Sequence, residues 1–593
     1  MIANRVPGLP AARTRTKNAV PIVPQETLMT LSVAQAHALL TAPGAPFEMA
    51  AMEIAGVPLR VWKNAPPSLR AVLENSRSFG EAPFIVYEDE RLSFADHYRR
   101  VCALARHLVE DFGIVKGDRV AIALRNYPEW SIAFWAATAI GAVAVPLNAW
   151  MAAAELDYCL TDSGACILVL DSERLDRLRD ALPRLSALRA TILVRAADPP
   201  PSGLHAFAAL TGDAPAHTPQ ALPPAVIAPE DDATIFYTSG TTGKPKCALG
   251  AHRNICTNLP SLMLSQARAK LLRGEALPGP NDPPPHRAYL LSVPFFHVTG
   301  CHSILLSMIG LGGKLVLMHK WDPLRAMELI ERERVTTFGG VPSMAWQVVE
   351  HPDFARFDLS SIESIGYGGA PAASELVQRL HQGFPVAAAS NGYGLTETSS
   401  VVTQNVAEDY LRKPDSAGPA VPICDLRVVD GEGSDVAPGE IGELWVRGPN
   451  VVKGYWNRPD ATQESFGGGW FKTGDLVRMD DEGFVYILDR AKDMLIRGGE
   501  NIYCVEVEDA LYSHPAIMDA AVIGIPHRIL GEEVGAVVQV KPGASVSAEE
   551  LKRHVAARLA AFKVPVRIEL RTEPLPRNAN GKILKRELRA LVA

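Results

Sequence analysis

The 593-residue chain is too long for one ordinary core, and a prior of about 150 residues per domain divides it into roughly four compact units. Hydrophobic residues make up 47% and charged residues 21%, a composition that excludes a disordered or fibrous protein. The formal net charge of -7 excludes a general field for nucleic acid or an anionic membrane, so basic residues are weighed site by site.

The first residues carry Arg5, Arg13, Arg15 and Lys17 with no acid before Glu26, and no apolar signal-peptide core follows. Residues 1–45 therefore read as a poorly ordered N-terminal extension. From Trp130 to Ala154 the chain carries no charge, which raises a membrane span. Gly141 splits that stretch into a helix-like and a strand-like piece, and Pro146 and Asn148 interrupt it, so two elements of a globular unit are expected. Before it, GDRVAIALRN around Gly117 reads as a strand, and Pro128 opens a helix that closes near Gly141. AVAV, a helix from Ala152 to Leu160 and the strand Cys166–Leu170 complete a β-α-β-α-β succession, the signature of a parallel sheet covered by helices.

A Pro-rich break at Pro199–Pro201 precedes the apolar strand Ala233–Tyr237. A second unit of the same kind follows: KLVLM at Lys314, a helix over Pro323–Glu333, and VTTF at Val335–Phe338. The Pro-rich Leu277–Pro285 reads as a surface loop. After Ser416 short strands and turns such as DLRVVDGEG and GELWVRG mark a β-rich subdomain, and from Asp489 a shorter α+β unit runs to the end. In that unit Ser547 and Glu550 form a capping-box pattern, and Leu551, Val555 and Leu559 share one helix face. The expected fold class is α/β: two α/β subdomains plus a β-rich subdomain over 46–489, and a small mobile α+β domain over 490–593. The eight cysteines are scattered with no CxxC pair, and read as reduced, structural and cytoplasmic.

The strongest chemical signal is YTSGTTGKPK, Tyr237–Lys246, which follows an apolar strand. Glycines let a backbone approach an anion, hydroxyls and exposed N–H groups donate to it, and lysines add positive charge. The loop is not a Walker motif, which needs glycine where Thr238 stands and Ser or Thr where Pro245 stands. An ordinary polar turn is the bland alternative.

With PFFHVTG at Pro294–Gly300, YGGAP at Tyr367–Pro371, NGYGLTET at Asn391–Thr398, TGD at Thr473–Asp475, DRAKD at Asp489–Asp493, RGGENIY at Arg497–Tyr503 and NGKILK at Asn580–Lys585, the chain resembles the adenylate-forming superfamily. That superfamily comprises acyl-CoA synthetases, peptide-synthetase adenylation domains and luciferases. The resemblance runs from roughly Leu92 to Leu588. It implies that Thr238, Ser239, Gly240, Thr241, Thr242, Gly243, Lys244 and Lys246 hold the ATP phosphates. Gly368, Gly369 and Ala370, with Asn391, Gly392, Tyr393 and Gly394, are implied to surround the adenine, and Tyr393 to pack against it. Thr396 stands beside Glu397, which is implied to hold Mg²⁺ together with phosphate oxygens. Asp475 is implied to accept the ribose hydroxyls and Arg490 to lie near ribose and phosphate.

His297 is implied to sit between acyl site and α-phosphate, although a plain core histidine would fit the same position. Lys582 is implied to serve the first half-reaction, Gly499 to leave room for a pantetheine arm, and a hinge near Lys492 to swing the C-terminal domain between them. Cys247 and Cys504 depart from the family's common glycine and proline.

The implied activity is an acid–thiol ligase: a carboxylic acid and ATP give acyl-AMP and pyrophosphate, then CoA gives acyl-CoA and AMP. A medium- or long-chain fatty acid is the favoured substrate, with an aromatic or alicyclic acid as alternative. A carrier-protein-loading ligase shares the first step, but the chain shows no DSL-type phosphopantetheine serine near its end. A luciferase-like oxygenase would differ only in pocket residues. Joint retention of Glu397, Asp475 and Lys582 argues against an inactive nucleotide-binding protein. An amino-acid substrate is disfavoured because Val298, Thr299, Gly300 and Cys301 stand where an aspartate would pair with its amino group.

Overall fold

The computed structural model describes residues 31–592 apart from 197–198, 213–220, 239–244, 280–281, 283–284, 341, 369–373, 386, 492, 499 and 579–581. The first α/β unit is a seven-stranded sheet. Its centre pairs Val143–Pro146, Arg119–Ala123, Ile167–Leu170 and Ala190–Leu193 in parallel. The uncharged stretch is the buried helix Pro128–Ala139 followed by one of these central strands, which need apolar residues on both faces. Among the described residues no helix is long and apolar enough to cross a membrane.

At one edge of this sheet Asp232–Thr238 and Lys246–Ala251 pair antiparallel, with Thr238 opposite Lys246. The phosphate-type loop is the connection between them, so its two ends are fixed by a strand pair.

The second unit is an eight-stranded sheet whose centre is parallel: Ala288–Leu291, Thr337–Gly340, Ser364–Gly368 and Ala388–Tyr393. Thr403–Val406 closes one edge antiparallel, and Pro83–Tyr87, from far earlier in the chain, joins the other side. The helix Pro323–Glu333 begins at Asp322, whose carboxylate accepts from the Arg325 N–H at 2.8 Å, with proline at its first turn. One face of this sheet carries Leu290, Phe338, Ile365 and Tyr367 into a core beneath Met327 and Ile330. The other face carries Gly339, Gly366 and Gly368.

Residues 418–490 form the six-stranded sheet of the β-rich unit, ending in Phe484–Arg490, and a last five-stranded sheet starts at Leu495. In the terminal unit Ser547 Oγ accepts from the Glu550 N–H at 3.2 Å, and Leu551 and Val555 are buried. The reading of residues 1–45 as an extension is corrected in its last part. Helix Val33–Thr41 carries a reciprocal Ser32–Gln35 cap, and Leu40 packs with Phe47, Trp62 and Leu264. An Ala- and Leu-rich segment without charge looks featureless until the partner that buries it is known.

All eight cysteines are free and buried. Three buried histidines, His97, His252 and His302, and two half-buried ones, His37 and His297, are pushed down from about 6.5 by desolvation, to about 3, 4, 3, 3 and 4 respectively. Above pH 6.5 both folded and unfolded rings are neutral, and that contribution to stability is whole. As pH falls toward 4 the unfolded chain takes up protons that the folded one refuses, so stability falls. Melting followed by calorimetry is expected to drop by several degrees between pH 6.5 and 5.5; a flat profile there would contradict neutral burial.

Candidate active site

A cavity of about 2100 Å³ opens at the C-terminal ends of the second sheet's strands. In an open α/β sheet this is the edge where loops converge and ligands bind. Thr238, Lys246, His297, Gly368, the segment Asn391–Glu397, Arg490 and Lys582 all line it. The sequence had placed these across more than half the chain.

Thr238 Oγ1 donates to the Lys246 carbonyl at 3.3 Å, holding the ends of the phosphate-type loop together. Lys246 Nζ lies 4.8 Å from the centre of the Tyr455 ring, and the Tyr455 hydroxyl donates to Glu397 Oε1 at 2.9 Å. Tyr455 thus aims the carboxylate, and no local motif announced it. Ser239, Gly240, Thr241, Thr242, Gly243 and Lys244 lie outside the described residues, as do Gly369, Ala370, Lys492 and Gly499.

The NGYGLTET segment leaves the sheet through Gly394, where a Cβ would come within 1.3 Å of the Ser400 carbonyl oxygen. Only glycine permits that close return. The Thr396–Thr398 turn is closed by Thr398 Oγ1, which accepts from the Leu395 N–H at 2.9 Å. At Gly368 a Cβ would sit 2.7 Å from the Gly392 carbonyl oxygen, so the neighbouring strand already requires glycine there.

Asp475 is 3% exposed, and its carboxylate accepts from the Tyr393 hydroxyl at 2.6 Å and pairs with Arg490 Nε at 2.9 Å. Each oxygen keeps a further lone pair. Burial, and then the Asp475 charge, raise Tyr393 well above its ordinary value, which keeps the phenol a donor. Burial pulls Arg490 down, but Asp475, Tyr393 and Glu397 outweigh it and leave the guanidinium pKa raised.

His297 follows a tight return in which its N–H bonds the Pro294 carbonyl at 3.2 Å. Gly300 allows this, since a Cβ there would lie 2.2 Å from the same carbonyl oxygen. His297 Nδ1 accepts from the Thr299 N–H at 3.3 Å, so the proton of the neutral ring sits on Nε2. Burial, which lowers this ring to about 4, makes it a neutral hydrogen-bond donor at physiological pH rather than a base.

Lys582 is tied to Asn578. Its N–H bonds Asn578 Oδ1 at 2.9 Å, and the Asn578 N–H bonds the Lys582 carbonyl at 2.9 Å. Arg577 pairs with Asp519 at 2.5 Å and Lys585 with Glu508 at 2.7 Å, on the two sides of this pair in sequence. No described residue of RGGENIY lines the cavity.

A family model described as "AMP-binding enzyme" matches residues 72–456. The chain belongs to that family. The model "AMP-binding enzyme C-terminal domain" matches 506–582. Among relatives, a feruloyl-CoA synthase of Amycolatopsis sp is 37% identical over 84% of this chain and 93% of its own length. A long-chain-fatty-acid–CoA ligase of Bacillus subtilis (strain 168) is 34% identical over 88% and 94%. The crystal structure of the anthranilate CoA ligase AuaEII in complex with anthranoyl-AMP superposes with a TM-score of 0.78 at 26% identity, covering 88% of this chain and 97% of that one. The protein is an acid–thiol ligase of the AMP-forming kind, with a carboxylic acid and CoA as substrates and ATP and Mg²⁺ as the activating pair.

The residues present fit that metal. No group of three or more His, Cys, Asp or Glu among the described residues could hold an ion alone. Glu397, one carboxylate facing the cavity beside the ends of the phosphate-type loop, suits Mg²⁺, which usually takes one or two carboxylates plus phosphate oxygens.

Proposed function

We propose that this ligase activates an elongated acid, a medium- or long-chain fatty acid, and transfers its acyl group to CoA. One observation carries the reading: the cavity does not stop at the nucleotide end but follows one sheet face to the opposite edge. Its lining includes Gly368, Gly366 and Ser364 on one strand, and reaches Thr336 and Ala288 where the neighbouring strands begin. Four residue steps at about 3.3 Å make a run of roughly 13 Å.

The channel exists because that face is nearly bare. Gly366 and Ser390 are register partners, as are Gly368 and Gly392, while the large residues of the same strands point to the other face. Leu262, Met263 and Gln266 of the helix Asn258–Leu272, with Met308 of the helix Leu306–Leu311, close it from above.

In this reading the acid carboxylate lies near His297, whose Nε2–H donates to an oxygen. Thr238, Lys246 and the loop between them hold the phosphates, Asp475 and Arg490 the ribose side, and Tyr393 the base. Glu397 would hold Mg²⁺, which neutralises phosphate charge when bound. The carboxylate attacks the α-phosphorus, pyrophosphate leaves, and Lys582 stabilises the charge developing on the transferred oxygens. CoA sulfur then attacks the acyl carbonyl and AMP departs.

A second reading, an aromatic acid, is favoured by the relative named feruloyl-CoA synthase. An acid screen with ATP, Mg²⁺ and CoA decides between them, with AMP and thioester as readouts. For the fatty-acid reading kcat/KM should climb from butanoate to dodecanoate by about tenfold for every two methylenes until the channel is filled. Turnover confined to cinnamates and benzoates would overturn it.

A further inference from the structure

The channel is not uniformly apolar. On its helical wall Ser303 and Ser307 stand one turn apart, and both line it. Ser307 is 8% exposed, and its hydroxyl oxygen has no hydrogen-bond partner among the described residues. On the sheet wall Gln404 is the register partner of Gly392 and so shares the bare face with Gly368. Its Oε1 is likewise buried without a partner among the described residues, and the residue lines the same cavity.

Two facts put these groups on the same side of one tie. Ser303 Oγ and Ser400 Oγ are 2.5 Å apart, which ties the helical wall to the segment leading into the strand of Gln404. From that tie both segments run the same way. The helical stretch starts beyond the end of Ala288–Leu291 and delivers the chain to the start of its parallel neighbour Lys314–Leu317, so it runs against the strands. Thr403–Val406 is antiparallel to Ala388–Tyr393, so it too runs against them. Ser307 and Gln404 therefore lie beyond the Ser303–Ser400 pair on two walls of the channel, away from the reacting end.

A buried polar atom that lacks a partner is costly unless something supplies one. A hydrocarbon tail supplies none. The two groups are also complementary, because a serine hydroxyl can donate while the Gln404 carbonyl can only accept. Together they match a ligand group that both accepts and donates. We propose that the channel contains a polar subsite, Ser307 and Gln404, that recognises a hydroxyl carried on the acyl chain, making the preferred substrate a hydroxylated fatty acid. The inference rests on the elongated-acid reading above. It adds discrimination by a kind of site that rejects the analogue lacking the hydroxyl more strongly than a methylene pocket rejects a shorter chain.

The test uses the intact enzyme with dodecanoic acid and a positional series of hydroxydodecanoic acids, measuring kcat/KM for CoA-dependent AMP release. One isomer is expected to exceed the parent acid by at least tenfold. Ser307→Ala and Gln404→Leu should each erase that preference through KM, while leaving turnover of dodecanoic acid equal or improved. The parent acid's unchanged rate shows that the variants are folded. Equal use of dodecanoic acid and every isomer, as expected if water alone satisfies the two groups, would overturn the subsite while leaving the elongated-acid reading intact. So would a preference that survives both substitutions. If no member of the series is turned over and aromatic acids are, the elongated-acid reading itself fails and the subsite with it.

Discussion

Replacing Lys582 with alanine should lower acyl-adenylate formation by about 10²–10³-fold, or roughly 2.7–4 kcal/mol, the usual loss on removing one preorganised donor from a charge-developing centre. The expectation comes from placement. Lys582 lines the cavity that also holds Thr396, Glu397 and Arg490. Its backbone is bonded to Asn578, and Arg577 and Lys585 nearby are ion-paired, so the ammonium stem leaves a fixed base. The described residues of RGGENIY are absent from the same lining. We propose that one face of the C-terminal domain serves the first half-reaction and another the second.

Thioester formation from supplied acyl-AMP should accordingly change less than threefold in Lys582→Ala. The contact set of the present arrangement includes Lys541 of the C-terminal unit with Glu350 at 3.5 Å. It also includes the Asp489 carboxylate accepting from the Cys504 N–H at 2.6 Å. These contacts straddle the proposed pivot near Lys492, and a swing must exchange them for others. Pyrophosphate exchange and acyl-AMP thiolysis, assayed separately on the folded variant, decide the matter. Parallel losses in both would remove the two-face mechanism.

What the sequence could announce were the groups whose role is local. A run of hydroxyls, glycines and lysines after an apolar strand reads as an anion loop because backbone approach and positive charge are encoded within ten adjacent positions. The strand and helix succession was legible for the same reason, since Pro128, Gly141 and Pro323 punctuate the chain where the elements begin and end. The groups that aim these side chains were not legible. Tyr455 reaches Glu397 across 58 positions, and Ser303 reaches Ser400 across 97. Such pairs exist only once separate elements pack.

The bare sheet face was hidden for a different reason. Local sequence does not tell which way the glycines of TFGG and SIGYGG face, because glycine in a strand usually marks a bend or a close approach. Only register shows that Gly366 faces the same way as Ser390 and sits between a glycine strand and a covering helix. The same holds for residues 33–41, whose helix is stabilised by Leu40 meeting Trp62 and Leu264, contacts that no window of local sequence contains.

Gly366→Leu should convert the enzyme into one that accepts only short acids. A Cβ at Gly366 would lie 3.2 Å from Ser390 Oγ, a contact that a small rotation of the serine side chain relieves, so the strand can carry the change. At Gly339 the same addition would put a Cβ 1.6 Å from the Gly366 carbonyl oxygen, which nothing can relieve; that position is unsuitable for the test. The leucine would project from the bare face into the channel two residues below Gly368, about 7 Å from the nucleotide end. There it takes the space of about four methylenes, and at ~0.8 kcal/mol each the loss is about 3 kcal/mol, or roughly 100-fold in kcat/KM for dodecanoate and palmitate. Butanoate, too short to reach Gly366, should keep its rate within about threefold, and pyrophosphate exchange with butanoate should confirm that the nucleotide end is intact. A uniform fall across the series would mean a damaged sheet. An unchanged preference for long acids would show that the acyl chain does not run along this face.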